Sequence, residues 1–206
     1  MKYKWLNKTD TNKLIIFFNG WGMDETIVSH LDCGDYNVVV LYDYNDLNLD
    51  LDFSNYSEKH LIAWSMGVMV STILNIDCKS STAICGTPFA IDDNNGIPER
   101  IYNLTIRGFS EASSQKFMER MFIEKPEITT FTNRTFESKL SELKKMLEYA
   151  PNKDFEFTRA IVASDDKIIP TKNQINYWKD KAEIITSGHC PFMLYSSWTE
   201  LLWKKF

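Results

Sequence analysis

Six short runs of apolar and β-branched residues recur along the chain and alternate with stretches that can be helical. The runs are KLIIFFNG, YNVVVLYDY, HLIAWS, STAICGT, FTRAIVAS and AEIITSG. Runs of this kind are typical of strands that are buried on both faces of a parallel sheet. Helices between the strands, at 24–32 and 66–76 among others, would supply the crossover connections. The pattern therefore predicts an α/β fold with a mainly parallel sheet of about six strands.

Residues 88–150 interrupt this alternation, because they show helical patterns without a convincing strand. The sequences SSQKFMERMFIE and FESKLSELKKMLEYA both place apolar residues at helical spacing. A chain of 206 residues, 44% of them hydrophobic, is long enough for one sizeable core. We therefore predict a single domain over residues 1–206, with a helical insertion at approximately 88–150.

The charge of the chain argues against two classes of partner. Its formal net charge is −5, whereas nucleic acids and anionic membranes attract proteins with a concentrated positive surface. The N-terminal sequence MKYKWLNKTDTNK lacks the apolar core of a signal peptide, and no later run has the length needed to span a bilayer. We therefore expect a cytoplasmic protein that binds neither nucleic acid nor membrane.

The third apolar run leads into AWSMG, residues 63–67, which is similar to a nucleophile elbow. In such an elbow a strand turns sharply into a helix, and the residues that flank the serine at a distance of two must be small. Ala63 and Gly67 meet this requirement, although Ala63 replaces the more usual glycine. Ser65 is therefore a candidate nucleophile, and the alternative is an ordinary serine between a buried strand and a helix.

Other reactive side chains follow later strands. Asp165 and Asp166 come after the fifth run, and His189 comes after the sixth. Because ligands of parallel sheets bind beyond the carboxyl ends of the strands, we expect these side chains to converge with Ser65. A serine needs a base to remove its proton, and the base needs a carboxylate to orient it. The chain order of serine, acid and histidine is that of α/β-hydrolases, so the sequence predicts a triad of Ser65, Asp166 and His189.

The remaining acid and histidines have weaker claims to a catalytic role. Neighbouring residues at a strand end point in opposite directions, so Asp165 is the alternative to the preferred Asp166. His60 lies inside an apolar run and His30 on a predicted helix, so we assign both to structural or solvent-facing roles. The histidines and cysteines lack the spacing of a zinc site, and the sequence predicts no metal and no cofactor.

The sequence NGWG, residues 19–22, follows the first run. Attack on a carbonyl places negative charge on its oxygen, and two backbone N–H groups can stabilise that charge. The elbow would supply one N–H group from Met66. Trp21 is well placed to supply the other, since Gly20 and Gly22 let the backbone approach a substrate closely. The sequence therefore predicts an oxyanion hole formed by Trp21 and Met66, with a simple strand-ending turn as the alternative.

Six segments together resemble the BioG-type pimeloyl-acyl-carrier-protein methyl ester esterases of biotin synthesis. They are FFNGWGMD, YDYNDLNLDLDFSNY, AWSMGV, GTPFAIDDNNGIP, SDDKIIPTKNQINYW and GHCPF. The resemblance covers nearly the whole chain, and its most specific parts are the acidic, tyrosine-rich connection and the AWSMG elbow. It implies an α/β-hydrolase fold whose helical insertion forms a lid. It also implies that Ser65, His189 and Asp166 cleave the methyl ester of the carrier-bound acyl chain through an acyl-enzyme.

The resemblance implies an acyl carrier protein as partner, and a methyltransferase of the same pathway as an enzyme linked to this chain or working beside it. Carrier proteins are strongly acidic, whereas residues 99–148 contain nine basic residues against eight glutamates. A lid less negative than the rest of the chain suits an acidic partner, and ion pairs within the lid are the alternative. The residues predicted to contact the carrier are Arg100, Arg107 and Arg120.

Four apolar residues of the lid are candidates for binding the acyl chain, with packing of the lid on the sheet as the alternative. They are Phe109, Phe117, Met121 and Phe122. Two rival functions stay open. The first is a serine esterase or thioesterase that acts on another small acyl substrate. The second is a non-catalytic hydrolase scaffold that binds a carrier protein, and the complete set of serine, acid and histidine argues against it.

Overall fold

The computed structural model of the chain describes residues 1–124 and 130–204. Within these residues, seven strands form one sheet in the order β1–β3–β2–β4–β5–β6–β7. The strands are β1 (Lys2–Asn7), β2 (Lys13–Phe18), β3 (Asn37–Tyr42), β4 (Glu58–Trp64), β5 (Ser80–Ile84), β6 (Arg159–Ala163) and β7 (Ala182–Ile185). β1 pairs with β3 in antiparallel orientation, and every other pair is parallel. The predicted α/β fold with a mainly parallel sheet is confirmed.

The sheet contains one strand more than the sequence predicts. The six apolar runs form β2 to β7, and β1 is the additional strand at the edge of the sheet. Lys2, Tyr3 and Lys4 of β1 are exposed, and the other three residues of the strand are half-buried. An edge strand of this kind has no continuous apolar run, so hydrophobicity alone does not predict it.

Six α-helices lie in the described part of the chain. They are α1 (Met66–Leu74), α2 (Glu99–Gly108), α3 (Glu111–Arg120), α4 (Phe136–Lys145), α5 (Thr171–Trp178) and α6 (Trp198–Trp203). α1 confirms the helix predicted at 66–76, and it ends where Asn75 adopts the left-handed conformation with φ of 47°. A membrane-crossing helix, with the necessary length and apolar character, does not occur among the residues described.

The helix predicted at 24–32 is wrong. Only a 3₁₀ helix, Glu25–Val28, forms there, and the Asp24 side chain caps its start by accepting a hydrogen bond from Thr26 N–H. Further along, Asp32 N–H donates to Ser196 O at 2.9 Å and pairs this loop with the segment before α6. This tertiary pairing draws the chain away from a helical path that its apolar spacing alone would allow.

The predicted helical insertion lies between β5 and β6. Residues 88–150 contain α2, α3 and α4, and residues 125–129 of the same segment lie outside the described part of the chain. α2 and α4 are joined by Tyr102, whose hydroxyl donates to Leu143 O at 2.7 Å. The use of this insertion as a lid stays a prediction.

Apolar side chains fill both faces of the sheet. In β2, Ile15 and Phe17 belong to one core, whereas Leu14, Ile16 and Phe18 belong to the other, and all five are fully buried. Residues of α6 complete the first core, and residues of α1 complete the second. A strand buried on both faces needs an apolar residue at every position, which explains the uninterrupted runs. The parallel order brings the carboxyl ends of β2, β4, β6 and β7 to one edge of the sheet.

Candidate active site

Ser65 forms the sharp turn between β4 and α1. β4 ends at Trp64 and α1 begins at Met66, so this single residue makes the whole connection. Ser65 has φ of 57° and ψ of −125°, a conformation that is strained for a residue with a side chain. Its N–H group donates to Ile84 O at 2.9 Å, which ties the turn to β5. The arrangement is that of a nucleophile elbow at the carboxyl edge of the sheet.

Close backbone packing surrounds this turn. A Cβ atom on Gly67 would lie 2.4 Å from the carbonyl oxygens of both Phe18 and Asn19, so only glycine fits. A Cβ atom on Gly86, which follows β5, would lie 2.5 Å from Ser65 O. The sequence predicts the small residue at Gly67. Gly86 is a further requirement that sequence reasoning missed, and its place directly after an apolar run was the available signal.

His189 lies beside Ser65 in the loop that follows β7. Its Nε2 atom is 2.8 Å from Ser65 Oγ, and its Nδ1 atom is 2.7 Å from Asp166 Oδ2. All three side chains are buried, with exposed fractions of 5% for Ser65, 1% for His189 and 8% for Asp166. Trp64 Nε1–H donates to His189 O at 2.8 Å and fixes the histidine backbone. The fold thus brings together the serine, histidine and acid that the sequence predicts as a triad.

The two aspartates after β6 have different surroundings. Asp166 is buried and contacts His189, whereas Asp165 is exposed and pairs with Lys167 at 3.2 Å. Neighbouring side chains at a strand end diverge, so only one of the two reaches the imidazole. Asp166, the acid that the sequence reasoning preferred, is the one that does.

Three donors besides His189 hold the Asp166 carboxylate. The N–H groups of Ile168 and Ile169 both donate to Oδ1 at 2.9 Å. Gln174 of α5, which is fully buried, donates from Nε2 to Oδ2 at 2.8 Å. Hydrogen bonds to an ionised acceptor are stronger than neutral ones, so these contacts fix the carboxylate firmly. Sequence reasoning missed Gln174, because a lone glutamine in a short helix gives no signal.

The other two histidines lie away from Ser65. His60 is fully buried in β4, with Nδ1 at 2.6 Å from Ser80 Oγ and Nε2 at 3.0 Å from Glu58 Oε1. His30 is exposed, and its Nε2 lies 3.1 Å from Phe192 O. These positions fit the structural and solvent-facing roles expected from the sequence. Across the described ranges, His, Cys, Asp and Glu side chains form no group of three or more that would hold a metal ion.

The NGWG turn, here called the oxyanion turn (residues 19–22), follows β2 and reaches the same cavity as Ser65. Trp21 and Met66 both line this cavity. Neither of their backbone N–H groups donates to a protein acceptor within residues 1–124 and 130–204. Gly22 has φ of 75°, which glycine adopts without strain. Both residues lie at the cavity beside Ser65, and the use of their N–H groups as an oxyanion hole stays a prediction.

The cavity in front of Ser65 has a volume of about 70 Å³. Of the four residues predicted to bind the acyl chain, Phe117 and Met121 line it. Phe109 does not line it but packs edge-on against Trp21, with ring centroids 5.3 Å apart. Phe122 is also absent from the lining, and its ring packs against Phe131 at 5.2 Å. The predicted set therefore divides into two residues that line the cavity and two that do not.

Sequence reasoning missed several apolar residues of the cavity wall. Ile97, Ile101, Tyr102 and Leu143 all line it, and they come from α2, α4 and the segment before α2. Burial raises the pKa of Tyr102, so its hydroxyl stays neutral and donates to Leu143 O. The helical spacing of apolar residues in the insertion was the available signal, but that spacing does not distinguish a cavity wall from packing.

A groove of about 400 Å³ adjoins the cavity on the surface of α2 and α3. Ile101, Phe117 and Arg120 line both spaces, so the groove and the cavity are neighbours that share a wall. Leu104 and Phe109 also line the groove, and Leu104 has 52% of its surface exposed. Apolar residues therefore line both the cavity at Ser65 and the groove on the surface of the insertion.

Of the three arginines predicted to contact a carrier protein, one lines the cavity and two do not. Arg120 lines the cavity, and its Nη2 donates to Lys167 O at 2.8 Å. Arg100 and Arg107 are exposed on α2 and do not line the cavity. All three guanidinium groups belong to the two helices that form the groove.

Comparisons with known proteins identify the family and the fold. The family model described as pimeloyl-ACP methyl esterase BioG matches residues 1–201 of the chain. A Bacteroides fragilis protein named malonyl-[acyl-carrier protein] O-methyltransferase is 36% identical over 177 residues. That match covers 80% of this chain, whereas the chain spans only 36% of the length of the relative.

Two solved structures have a similar fold. The crystal structure of BioG from Haemophilus influenzae is 33% identical and has a TM-score of 0.92, with 98% of this chain and 99% of that chain covered. An α/β-hydrolase fold protein from Burkholderia ambifaria has a TM-score of 0.64 at 12% identity, with 97% and 90% covered, and shows the fold alone. The chain has the α/β-hydrolase fold and belongs to the pimeloyl-ACP methyl esterase BioG family of carboxylic ester hydrolases.

Proposed function

We propose that the protein is a cytoplasmic serine esterase that hydrolyses pimeloyl-acyl-carrier-protein methyl ester to pimeloyl-acyl carrier protein and methanol, in biotin synthesis. The reaction is the one that the description of the family names. One observation carries the proposal. Ser65 Oγ, the His189 imidazole and the Asp166 carboxylate form a chain of hydrogen-bond distances beside an apolar cavity, which Trp21 and Met66 also line.

Attack by Ser65 forms the acyl-enzyme. As Oγ bonds to the ester carbonyl carbon, its proton passes to His189 Nε2, 2.8 Å away. The electron pair of the carbonyl moves onto its oxygen, and the N–H groups of Trp21 and Met66 stabilise that charge. Asp166 stabilises the imidazolium through Nδ1–H. His189 then gives the proton to the methoxy oxygen, methanol leaves, and the acyl chain stays bonded to Ser65.

Water completes the reaction through the same groups. His189 removes a proton from a water molecule, whose oxygen bonds to the acyl carbonyl carbon. The second tetrahedral intermediate again places its negative oxygen between the two N–H groups. The bond to Ser65 Oγ breaks, Ser65 regains its proton from His189, and the acyl chain leaves as a carboxylic acid, which then loses its proton to water.

The groove on α2 and α3 supports a substrate that is tethered to a large carrier. The methyl ester stands at the end of the acyl chain away from the carrier, so the chain must enter the cavity end-on while the carrier stays outside. Ile101 and Phe117 line both the groove and the cavity and provide an apolar wall for such a chain. A tether would lie along the same groove.

Basic residues around the groove support an acidic partner. Arg100 and Arg107 are exposed on α2, and Arg120 with Lys116 lines the groove. Charge of this sign attracts an acidic carrier protein and orients it at the mouth of the cavity. Not every basic residue of the insertion contributes, since Arg134 is buried in an ion-pair cluster. Lys125 lies outside the described residues.

The Bacteroides fragilis relative supports a methyltransferase as the functional partner of this chain. Its name describes a transfer of a methyl group onto an acyl-carrier-protein substrate, and this chain aligns with only a part of it. In a shared pathway, the methyltransferase would add a methyl group and the esterase would remove the same group. We therefore propose that this chain acts after such a methyltransferase, as a linked or a separate protein.

The test uses the purified protein and its Ser65→Ala variant with pimeloyl-acyl-carrier-protein methyl ester. Intact mass of the carrier distinguishes loss of the methyl group from loss of the whole acyl chain. We expect methyl loss with the wild type only, because a serine replaced by alanine offers no nucleophile. With ethanol present, a fraction of the acyl-enzyme should transfer its acyl group to ethanol in place of water and give the ethyl ester.

Each other result contradicts a specific part of the proposal. Methyl loss with Ser65→Ala would remove Ser65 from the mechanism, provided that the melting temperatures of both proteins match. Loss of the whole acyl chain would indicate a thioesterase. Cleavage of a short generic ester with no action on the carrier-bound ester would indicate an esterase of another small acyl substrate, and no hydrolysis at all would indicate a non-catalytic scaffold.

A further inference from the structure

Two hydrogen bonds tie the oxyanion turn to α4 of the insertion. Gly22 N–H donates to Glu142 Oε2 at 3.0 Å, and Trp21 Nε1–H donates to Lys139 O at 2.8 Å. The partners are separated by 120 and 118 residues in sequence. The orientation of the turn after β2 is therefore set by a helix that belongs to a different part of the chain.

Glu142 also holds the neighbouring segment after β3. Its Oε1 atom accepts the N–H of Tyr44 at 2.8 Å, and the Tyr44 hydroxyl donates to Asn19 O at 2.9 Å. Both Glu142 and Tyr44 are fully buried. The Glu142 carboxylate thus contacts the oxyanion turn directly at Gly22. It also contacts the turn indirectly, because Tyr44 links it to Asn19, the first residue of the turn.

A buried arginine balances this carboxylate. Arg134 has only 4% of its side chain exposed and pairs with Glu142 through Nη1. Its Nη2 atom lies 2.8 Å from Asp43 Oδ1. Burial raises the pKa of the Glu142 carboxyl, and the Arg134 charge together with the Gly22 and Tyr44 N–H donors opposes that rise. A buried charge without a partner is costly, so Arg134 makes an ionised Glu142 possible at this position.

We propose that Glu142, held by Arg134, is a positioning residue for the oxyanion hole. The proposal rests on the proposed function, because it takes the Trp21 N–H group as an oxyanion donor. A turn with two glycines has wide conformational freedom, whereas an oxyanion hole works only when its donors are already aimed at the developing charge. Glu142 fixes the peptide group that follows Trp21, and the Lys139 carbonyl fixes its indole ring.

Glu142→Gln tests this role with little change in shape. The amide has one acceptor oxygen where the carboxylate has two, so Gly22 and Tyr44 no longer both find an acceptor. Removing an oxyanion donor outright costs about 10²–10³ in kcat, so we expect a misaligned donor to cost about tenfold or more. The KM for a short ester should stay within about twofold, because ground-state binding does not use the aimed N–H group.

A pair of inhibitors separates positioning from folding. Ser65 Oγ adds to the carbonyl carbon of an alkyl trifluoromethyl ketone, its proton passes to His189, and the carbonyl electron pair becomes an alkoxide in the oxyanion hole. The matching alkyl methyl ketone occupies the cavity without this addition. For Glu142→Gln we expect the trifluoromethyl ketone to lose affinity by about the same factor as kcat/KM, and the methyl ketone to keep its affinity.

Matched controls use the same chemistry elsewhere. Glu183→Gln breaks an ion pair with Arg159, whose atoms are 2.6 Å apart, at the end of β6 away from the active site. This variant should change the affinity of neither inhibitor. Arg134→Lys keeps the positive charge, folds more readily than a neutral variant, and should show the same selective loss in milder form. All assays are made well below each melting temperature.

The possible results separate this proposal from the proposed function. Wild-type affinity for the trifluoromethyl ketone in both Glu142→Gln and Arg134→Lys would overturn the positioning role. Equal losses of affinity for the two ketones would overturn the positioning role as well, since such losses indicate a damaged cavity. A wild-type protein without Ser65-dependent hydrolysis would instead contradict the proposed function itself.

Discussion

At the residue scale, the strongest constraint on the site is the surroundings of the acid. Asp166 accepts hydrogen bonds from two backbone N–H groups and from Gln174, and it contacts His189. Asp165, one residue away, is exposed beside Lys167. Two chemically identical side chains therefore have different abilities to orient an imidazole, and the difference comes from the direction in which each leaves the strand end.

This difference predicts unequal effects of the two Asp→Asn variants. Asp166→Asn should reduce kcat by about 10³–10⁴, because an amide favours the wrong tautomer of His189 and cannot stabilise the imidazolium. Asp165→Asn should keep kcat within about twofold of the wild-type value, since an exposed ion pair contributes little. Steady-state kinetics with a short ester, together with the melting temperature of each variant, makes the comparison. A larger loss at Asp165 would assign the triad acid to that residue.

At the element scale, the junction between β4 and α1 depends on how closely α1 approaches β2. Gly67 in the first turn of α1 faces the carbonyl oxygens of Phe18 and Asn19. The strain at Ser65 persists because the packing of α1 and the bond to Ile84 hold the turn on both sides. The elbow therefore depends on four elements, β2, β4, β5 and α1, although its sequence signature is only five residues long.

Gly67→Ala should both destabilise the protein and reduce turnover. The added Cβ would lie 2.4 Å from two backbone oxygens, so α1 must move away from β2, at a cost of about 1–3 kcal/mol. Gly108→Ala is the stability control, because a Cβ there meets nothing within 4 Å. Urea unfolding measures both variants. Equal stability of Gly67→Ala and wild type would show that the elbow tolerates a wider separation of α1 and β2.

At the scale of the whole molecule, charge is distributed unevenly. The chain carries a net charge of −5, while residues 99–148 contain nine basic residues against eight glutamates. Part of this positive charge lies on Lys116 and Arg120 of the groove and on the exposed arginines of α2, the helix that forms one side of the groove. The scaffold would repel an acidic partner more strongly than the nearly neutral insertion would, which orients the approach.

Salt should therefore affect the two kinds of substrate differently. Raising ionic strength from about 0.05 to 0.5 M shortens the range of the attraction, so the KM for the carrier-bound ester should rise severalfold while that for a short ester stays constant. The double variant Arg100→Glu and Arg107→Glu should raise the KM for the carrier-bound ester and remove most of the salt dependence of that KM. Lys153→Glu, an exposed change outside the insertion, is the control. Equal salt responses for both substrates would leave the insertion charges without a docking role.

Sequence alone determined the features that depend on local pattern. Uninterrupted apolar runs identify doubly buried parallel strands, and parallel strands bring residues at their ends to one edge, so Ser65, His189 and one of the two neighbouring aspartates could be grouped without coordinates. The edge strand β1 and the loop at 24–32 escaped this reasoning. In the first case exposure removes the apolar signal, and in the second a contact with the segment before α6 overrides helical spacing.

Only the tertiary structure decided the rest. It determined that Asp166 and not Asp165 meets His189, that Gln174 supports the acid, and that Phe117 lines the cavity while Phe122 packs. It also joined Glu142 to the oxyanion turn across 120 residues of sequence. The physical reason is common to all of these cases. Side-chain direction and contacts between distant segments arise from the packing of the whole chain, and no local sequence pattern encodes them.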